Sequence, residues 1–187
     1  MASERMPEPW FSFLSAIDRA ATAPISLQCI GGLAVSLHYG LSRPTGDIDV
    51  IEVTPSEAKP WLSRTGGEGS ALHKKHKVYV QIVTVASVPY LYEERLTEIF
   101  RGEFQKLRLF VLDPYDLVLS KLTRNVEVDV EDVKHLVRSQ KLHLARLEAR
   151  YNEELRPYLT GPVERHDLTM QLWLATFREE RGGQGGG

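Results

Sequence analysis

The stretch Gly31-Gly32, followed by Arg43-Pro44-Thr45-Gly46-Asp47-Ile48-Asp49-Val50, decides the fold of this chain. The apolar run before it, Ile25 to Ile30, reads as a short strand. Gly-Gly then turns the chain into a helix over residues 31–38, and a second strand begins at Asp47. Successive strand side chains point to opposite faces, so Asp47 and Asp49 share one. Two steps of strand rise put their Cα atoms ~6–7 Å apart. At that spacing both carboxylates can converge on one Mg²⁺. Asp is depleted in strands, and two on one face repel each other unless a cation relieves them. A Gly-Gly turn at a helix start offers free backbone N–H groups and the positive end of the dipole, which suit phosphate. Together these are the makings of a site for a metal-bound nucleoside triphosphate.

Outward from this stretch, Trp10, Phe11, Phe13, Leu14, Ile17 and Ala21 fit one helical stripe. Residues 55–64 look helical, with the start near Pro60. Thr65 to Ser70 is a Gly-rich loop. His73-Lys74-Lys75-His76-Lys77 is a basic run before a strand. It reads as a solvated turn that protects a strand edge, or as a landing place for a phosphate-rich acceptor. Val78 to Val85 and Leu107 to Leu112 are strand-like, and residues 89–101 read as a helix. From Asp113 the pattern is helical, with breaks near Asn125, Arg138 and Gly161. The expected fold is therefore α+β, a small mixed β-sheet with helices and then a helical C-terminal part. The expected division is an α/β core over 1–112, helices over 113–181 and a disordered Gly-rich tail over 182–187.

The order of Gly-Gly at a helix start and Asp-x-Asp on the next strand resembles the nucleotidyltransferase superfamily, with its polymerase-beta-like palm fold. Gly31-Gly32 … Arg43-x-Thr45-x-Asp47-Ile48-Asp49 looks most like its small bacterial branch, which includes AbiEii-type toxins and uncharacterised relatives. A second patch is similar to the helical part of that branch: Asp113-Pro114-Tyr115-Asp116-Leu117 … Ser120-Lys121-Leu122 … Arg124 … Asp129 … Asp132-Val133. The resemblance implies transfer of a nucleotidyl group from a Mg²⁺ (or Mn²⁺) nucleoside triphosphate to a hydroxyl of RNA, protein or a small molecule. It also implies a toxin–antitoxin or phage-defence setting with a cognate partner protein. Asp47 and Asp49 would be catalytic and hold metal, and Gly31 and Gly32 would cradle phosphate. Arg43 and Thr45 would reach the triphosphate, although Pro44 and Gly46 also suit a plain turn. Lys121 would reach the phosphates from a helix, with Asp129 and Asp132 orienting it or lining the site. The same two acids also fit as caps of the next helix.

One part of the pattern is missing. Polymerase-beta-like catalysts carry a third carboxylate on a neighbouring strand. Here the expected strand, residues 78–83, holds Gln81 and no acid. Glu52 is odd-spaced from Asp49, so a regular strand turns it to the opposite face. Glu68, or an acid of the C-terminal helices, is the remaining substitute. A second expectation follows: a catalytically weak or inactive relative that binds a nucleotide or a partner protein.

Composition narrows the classes without choosing among them. The chain has 187 residues, 42% hydrophobic and 26% charged, as in ordinary globular domains. Its net charge of −2 gives no global warrant for nucleic-acid binding. A single cysteine, Cys29, excludes an internal disulfide and points to a reducing cytosol. No apolar run has membrane-spanning length and no signal-peptide core is visible, so a cytoplasmic protein without a membrane partner is expected. Apart from His73 and His76, the six histidines lack metal-ligand spacing, which argues against zinc.

Overall fold

The structure, a computed structural model, describes residues 5–41, 45–124 and 127–182. They fall into two compact units. One unit runs to Ala86 and resumes over Leu96–Leu112. The other holds Ser87–Arg95 and the described residues from Asp113 on.

The first unit is built on a mixed five-stranded sheet. Its helices are α1 (Trp10–Ala20), α2 (Gly31–Leu37), α3 (Lys59–Gly66) and α4 (Ala71–His76). Its strands are β1 (Ile25–Ile30), β2 (Asp47–Thr54), β3 (Tyr79–Ile82), β4 (Thr97–Ile99) and β5 (Leu107–Val111), in the spatial order β3-β2-β1-β5-β4. β1 runs antiparallel to β2 and parallel to β5, β2 runs parallel to β3, and β4 runs antiparallel to β5. This is the α+β mixed sheet that the sequence pattern predicts.

Alternation sorts the two faces of that sheet. Leu27 and Cys29 of β1, Ile48, Val50 and Val53 of β2, and Leu107, Leu109 and Val111 of β5 are buried together. Burial, with the charge of Asp49 adding to it, pushes the Cys29 thiol up to about 12, so the sulfur is protonated and inert at neutral pH. The amphipathic α1 buries Trp10, Phe13, Leu14 and Ile17 and contacts α3 and α4. Its Asp18 carboxylate accepts the backbone N–H groups of Gln105, Lys106 and Leu107 at 2.7–3.2 Å, which ties the helix to the start of β5.

Burial alone would raise the Asp18 carboxyl, but the backbone donors and the charge of Lys106 outweigh it, so it lies below the usual carboxylate range. A depressed carboxyl contributes stability above its unfolded pKa, and the contribution disappears as pH falls through the folded value. Asp18→Ala is expected to cost on the order of 3 kcal/mol at pH 7, from about 1–3 kcal/mol per donor left unsatisfied. Urea unfolding from pH 7 down to pH 3 should show the gap between the proteins closing below about pH 4, near the unfolded pKa. A gap that stays constant through that range would mean the carboxylate charge does not matter.

Two local expectations are corrected. Residues 89–101 are not a helix. They form a short 3-10 turn, Tyr92–Arg95, and then the edge strand β4. Tertiary partners override the local pattern. Arg95 bonds bidentately to Asp116 and to Glu154, while Ile99 is buried opposite Leu109. The basic run is not a turn. It is most of α4, whose start is capped by the Ser70 hydroxyl accepting His73 N–H, and which ends at Lys77 with a left-handed φ of 63°.

The second unit is helical: α5 (Pro114–Leu122), α6 (Glu127–Ser139), α7 (Leu144–Arg150) and α8 (Val163–Gly182). A single π-helical turn, Tyr151–Leu155, continues α7. Asp113 caps α5 by accepting Asp116 N–H at 2.8 Å. Leu117, Leu119, Leu122, Val133, Leu136, Leu147, Tyr151 and Leu155 are buried. The expected break at Asn125 and the Gly-rich tail beyond Gly182 lie outside the described residues; Gly182 itself closes α8. No helix among the described residues is long and apolar enough to cross a membrane.

Candidate functional site

β1 leads straight into α2, and the joint is Gly31. Its φ of +74° is a left-handed conformation that glycine adopts without cost. A Cβ built there would stand 2.2 Å from Asp49 Oδ2. The absent side chain is the space that the Asp49 carboxylate occupies. Strand pairing sets this approach, because Ile30 lies opposite Asp49 in the antiparallel β1–β2 ladder. The turn and the carboxylate are therefore one arrangement, and Gly32 follows as the next residue of α2.

Asp47 shares the face of Asp49. Both are half-buried, while Ile48 and Val50 are buried on the other side. The Thr45 hydroxyl donates to Asp47 Oδ1 at 2.9 Å, so Thr45 holds the first carboxylate in place. Arg43 lies outside the described residues.

In the parallel β2–β3 ladder Asp47 pairs with Tyr79 and Asp49 with Gln81. The neutral Gln81 amide thus stands beside Asp49, on the strand where the sequence pattern leads one to look for an acid. Tyr79 stands beside Asp47. Burial first, then the charges of Asp47, Glu68 and Asp49, raise its phenol above the usual value. The Tyr79 ring meets the His73 ring at 4.9 Å between centroids.

Glu52 departs from the sequence reading. Gln28 pairs with Glu52 and Cys29 with Val50, so β2 carries one extra residue, a β-bulge at Ile51. The bulge reverses the alternation, Val53 returns to the core face, and Glu52 rejoins the face of Asp47 and Asp49. Its carboxylate pairs with Lys59 at 2.9 Å. Among the described residues no group of three or more His, Cys, Asp or Glu is placed to hold a metal ion. What the face offers is a pair of hard oxygen donors beside a glycine cradle. That fits Mg²⁺, which keeps several waters and takes one or two carboxylates plus substrate phosphates.

The second unit gathers the other predicted residues. Lys121 is 4% exposed, and its ammonium lies 3.1 Å from Asp129 Oδ1 and 2.7 Å from Asp132 Oδ2, both carboxylates fully buried. Arg124 adds a bidentate pair on Asp129 at 2.7 and 2.9 Å. Burial would raise the Asp129 carboxyl, but Arg124 and Lys121 hold it below the usual range. Asp116, also fully buried, accepts from Arg95 and Arg150. So Asp129 and Asp132 are ion-pair partners of Lys121 on the helix after it.

A family described as nucleotidyltransferase of unknown function (DUF6036) matches residues 12–173. That span covers both patches, and the chain belongs to this family. No curated protein and no solved structure matches the chain.

Proposed function

We propose, from this membership, that the protein binds a Mg²⁺–nucleoside triphosphate on the Asp47/Asp49 face and transfers the nucleotidyl group to a hydroxyl of RNA, protein or a small molecule. The observation that carries this reading is the contact of Gly31 with the Asp49 carboxylate, on the face where Thr45 holds Asp47. Asp47 and Asp49 would hold the metal, which neutralises triphosphate charge when bound. The amides of Gly31 and Gly32 would serve the phosphates. Arg43, and Lys121 with Asp129 and Asp132, are assigned to the nucleotide on the family resemblance alone. A cytoplasmic toxin–antitoxin or phage-defence setting with a cognate partner protein rests on the same resemblance.

The test is incubation with each α-labelled nucleoside triphosphate, Mg²⁺ or Mn²⁺, and a total RNA and protein extract. Label on an acceptor supports the reading. Gln81 beside Asp49 favours a second reading, a relative that binds the nucleotide or a partner protein and transfers weakly or not at all. Binding without label transfer selects that one.

Gly31→Ala probes the cradle. The left-handed backbone alone should cost alanine about 1–2 kcal/mol, and the new methyl must push the Asp49 carboxylate aside. Mg²⁺–nucleotide affinity is expected to fall more than about tenfold, or ~1.4 kcal/mol. Calorimetry that finds the affinity unchanged would separate the glycine from the site.

A further inference from the structure

We propose that Tyr90 and Tyr158 form a docking platform for an arginine-bearing segment of a partner protein. The surface lies wholly within the second unit, and it stands whether or not the protein transfers nucleotides. The two rings are stacked, with centroids 4.9 Å apart and planes 10° from parallel. Each ring spends one face on the other. Even so, Tyr90 is 65% and Tyr158 57% exposed, so much of the ring surface meets water. Leu91, the next residue, is exposed as well. Single exposed apolar side chains are ordinary, but a stacked aromatic pair followed by a leucine is a patch.

The platform is fixed before any partner arrives. Tyr90 N–H donates to Glu154 O at 2.8 Å, which joins the two segments that carry the rings. Consecutive turns follow Tyr90, with Tyr92 N–H donating to Pro89 O and Glu94 N–H to Leu91 O. At their end Arg95 is bonded to both Asp116 and Glu154. Tyr158 closes the 3-10 turn Arg156–Tyr158, and Arg156 holds Asp167 at 2.8 and 2.9 Å. A pair so held loses little freedom on binding, and tyrosine is enriched where binding energy concentrates.

Charge selects the occupant. Residues 87–95 and 151–160 hold four acids, Glu93, Glu94, Glu153 and Glu154, and two cations, Arg95 and Arg156. Both cations are already paired, Arg95 with Asp116 and Glu154, Arg156 with Asp167. Glu93, Glu94 and Glu153 are exposed and make no ion pair among the described residues. A guanidinium answers both features, because its plane lies on a tyrosine face while its N–H groups meet carboxylates. This unit already uses that contact: Arg146 and Arg150 lie over the Tyr115 ring at 5.1 and 5.0 Å. No arginine among the described residues does so for Tyr90 or Tyr158. A single-stranded nucleic acid would also stack its bases on the rings, but its phosphates would meet three carboxylates that no cation balances.

The experiment titrates nona-arginine into the full chain, following the tyrosine ring signals by NMR and the affinity by calorimetry. The Tyr90 and Tyr158 signals should shift, and nona-lysine should bind more weakly, because an ammonium has no plane to stack. Tyr90→Ala and Tyr158→Ala should each weaken nona-arginine about fivefold, the scale of one cation–π contact at an exposed site, with the fold intact by thermal melt. Glu93→Gln, Glu94→Gln and Glu153→Gln together leave the stack in place and should weaken it by about as much. Unmoved Tyr90 and Tyr158 signals, or equal affinity for the unaltered protein and these variants, overturn the proposal. An oligouridylate that shifts the same signals as strongly also overturns it and makes the occupant a nucleic acid. Ring signals that move with protein concentration alone overturn it in favour of a second copy of this chain.

Discussion

Replacing Asp47 and Asp49 together by asparagine is expected to abolish Mg²⁺-dependent nucleotide binding and to lower transfer by at least ~10³-fold, about 4 kcal/mol of barrier. The change keeps the shape and removes two negative charges. Asn side chains fill the same half-buried positions, and the Thr45 hydroxyl can still donate to an amide oxygen at position 47. Folding should therefore survive, because the two side chains lie off the core face of β2. Binding should not, because an amide oxygen is a weak substitute for a carboxylate toward a hard cation that dehydrates reluctantly. Calorimetry with and without Mg²⁺ reads the loss, and a thermal melt checks the fold. A folded double variant that binds the Mg²⁺–nucleotide as tightly as the unaltered protein would remove this face from consideration.

Lys121→Ala should show the largest loss of stability, about 3–5 kcal/mol, the range for deleting one partner of a buried ion pair. Asp129 keeps Arg124, but Asp132 loses the Lys121 ammonium that lies 2.7 Å away in the interior. The depressed Asp129 carboxyl sets the pH dependence. Its contribution is complete above the unfolded value near 4 and fades as pH falls through the folded one. The penalty of Lys121→Ala should accordingly be large at pH 7 and shrink in acid. Denaturant unfolding at pH 7 and near pH 3 measures it. Nucleotide affinity, taken where the variant is still folded, separates the two roles proposed for this lysine. An intact affinity assigns Lys121 to the interior of the helical unit, whereas a loss of tenfold or more supports a phosphate role besides. A cost below 1 kcal/mol at pH 7 would contradict the ion-pair account.

Much of this arrangement was legible in the residues because it depends on strand parity. Asp47-Ile48-Asp49-Val50 alternates cleanly, and a two-residue period leaves only one assignment of faces. The helix start was legible for a similar reason, since Gly31 precedes an apolar segment that needs a tight turn. Glu52 was misread because parity holds only while the strand is regular. The signal was present in the adjacent apolar pair Val50-Ile51, which breaks the alternation where the bulge falls. Residues 89–101 were misread for another reason. Their local pattern favours a helix, but Arg95 and Ile99 answer to partners far away in sequence, and no local window contains those. The resemblance already set Asp129 and Asp132 beside Lys121, but not the burial of all three, because no local window shows that the two acids on the following helix enclose the ammonium in the interior.

The path of the chain between its two units has a practical meaning for anyone cutting or splicing this gene. The backbone leaves the sheet unit at Ser87, returns at Leu96 and leaves again after Leu112. The units are interleaved, so neither is a cassette with a single seam. A truncation at Leu112 would keep Arg95 but discard Asp116 and Glu154, stranding a guanidinium and the loop that carries it. Recombination between relatives faces the same constraint. A crossover near Leu112 must bring residues 87–95 and the later helices from one parent, and that ties the two halves into a single heritable unit.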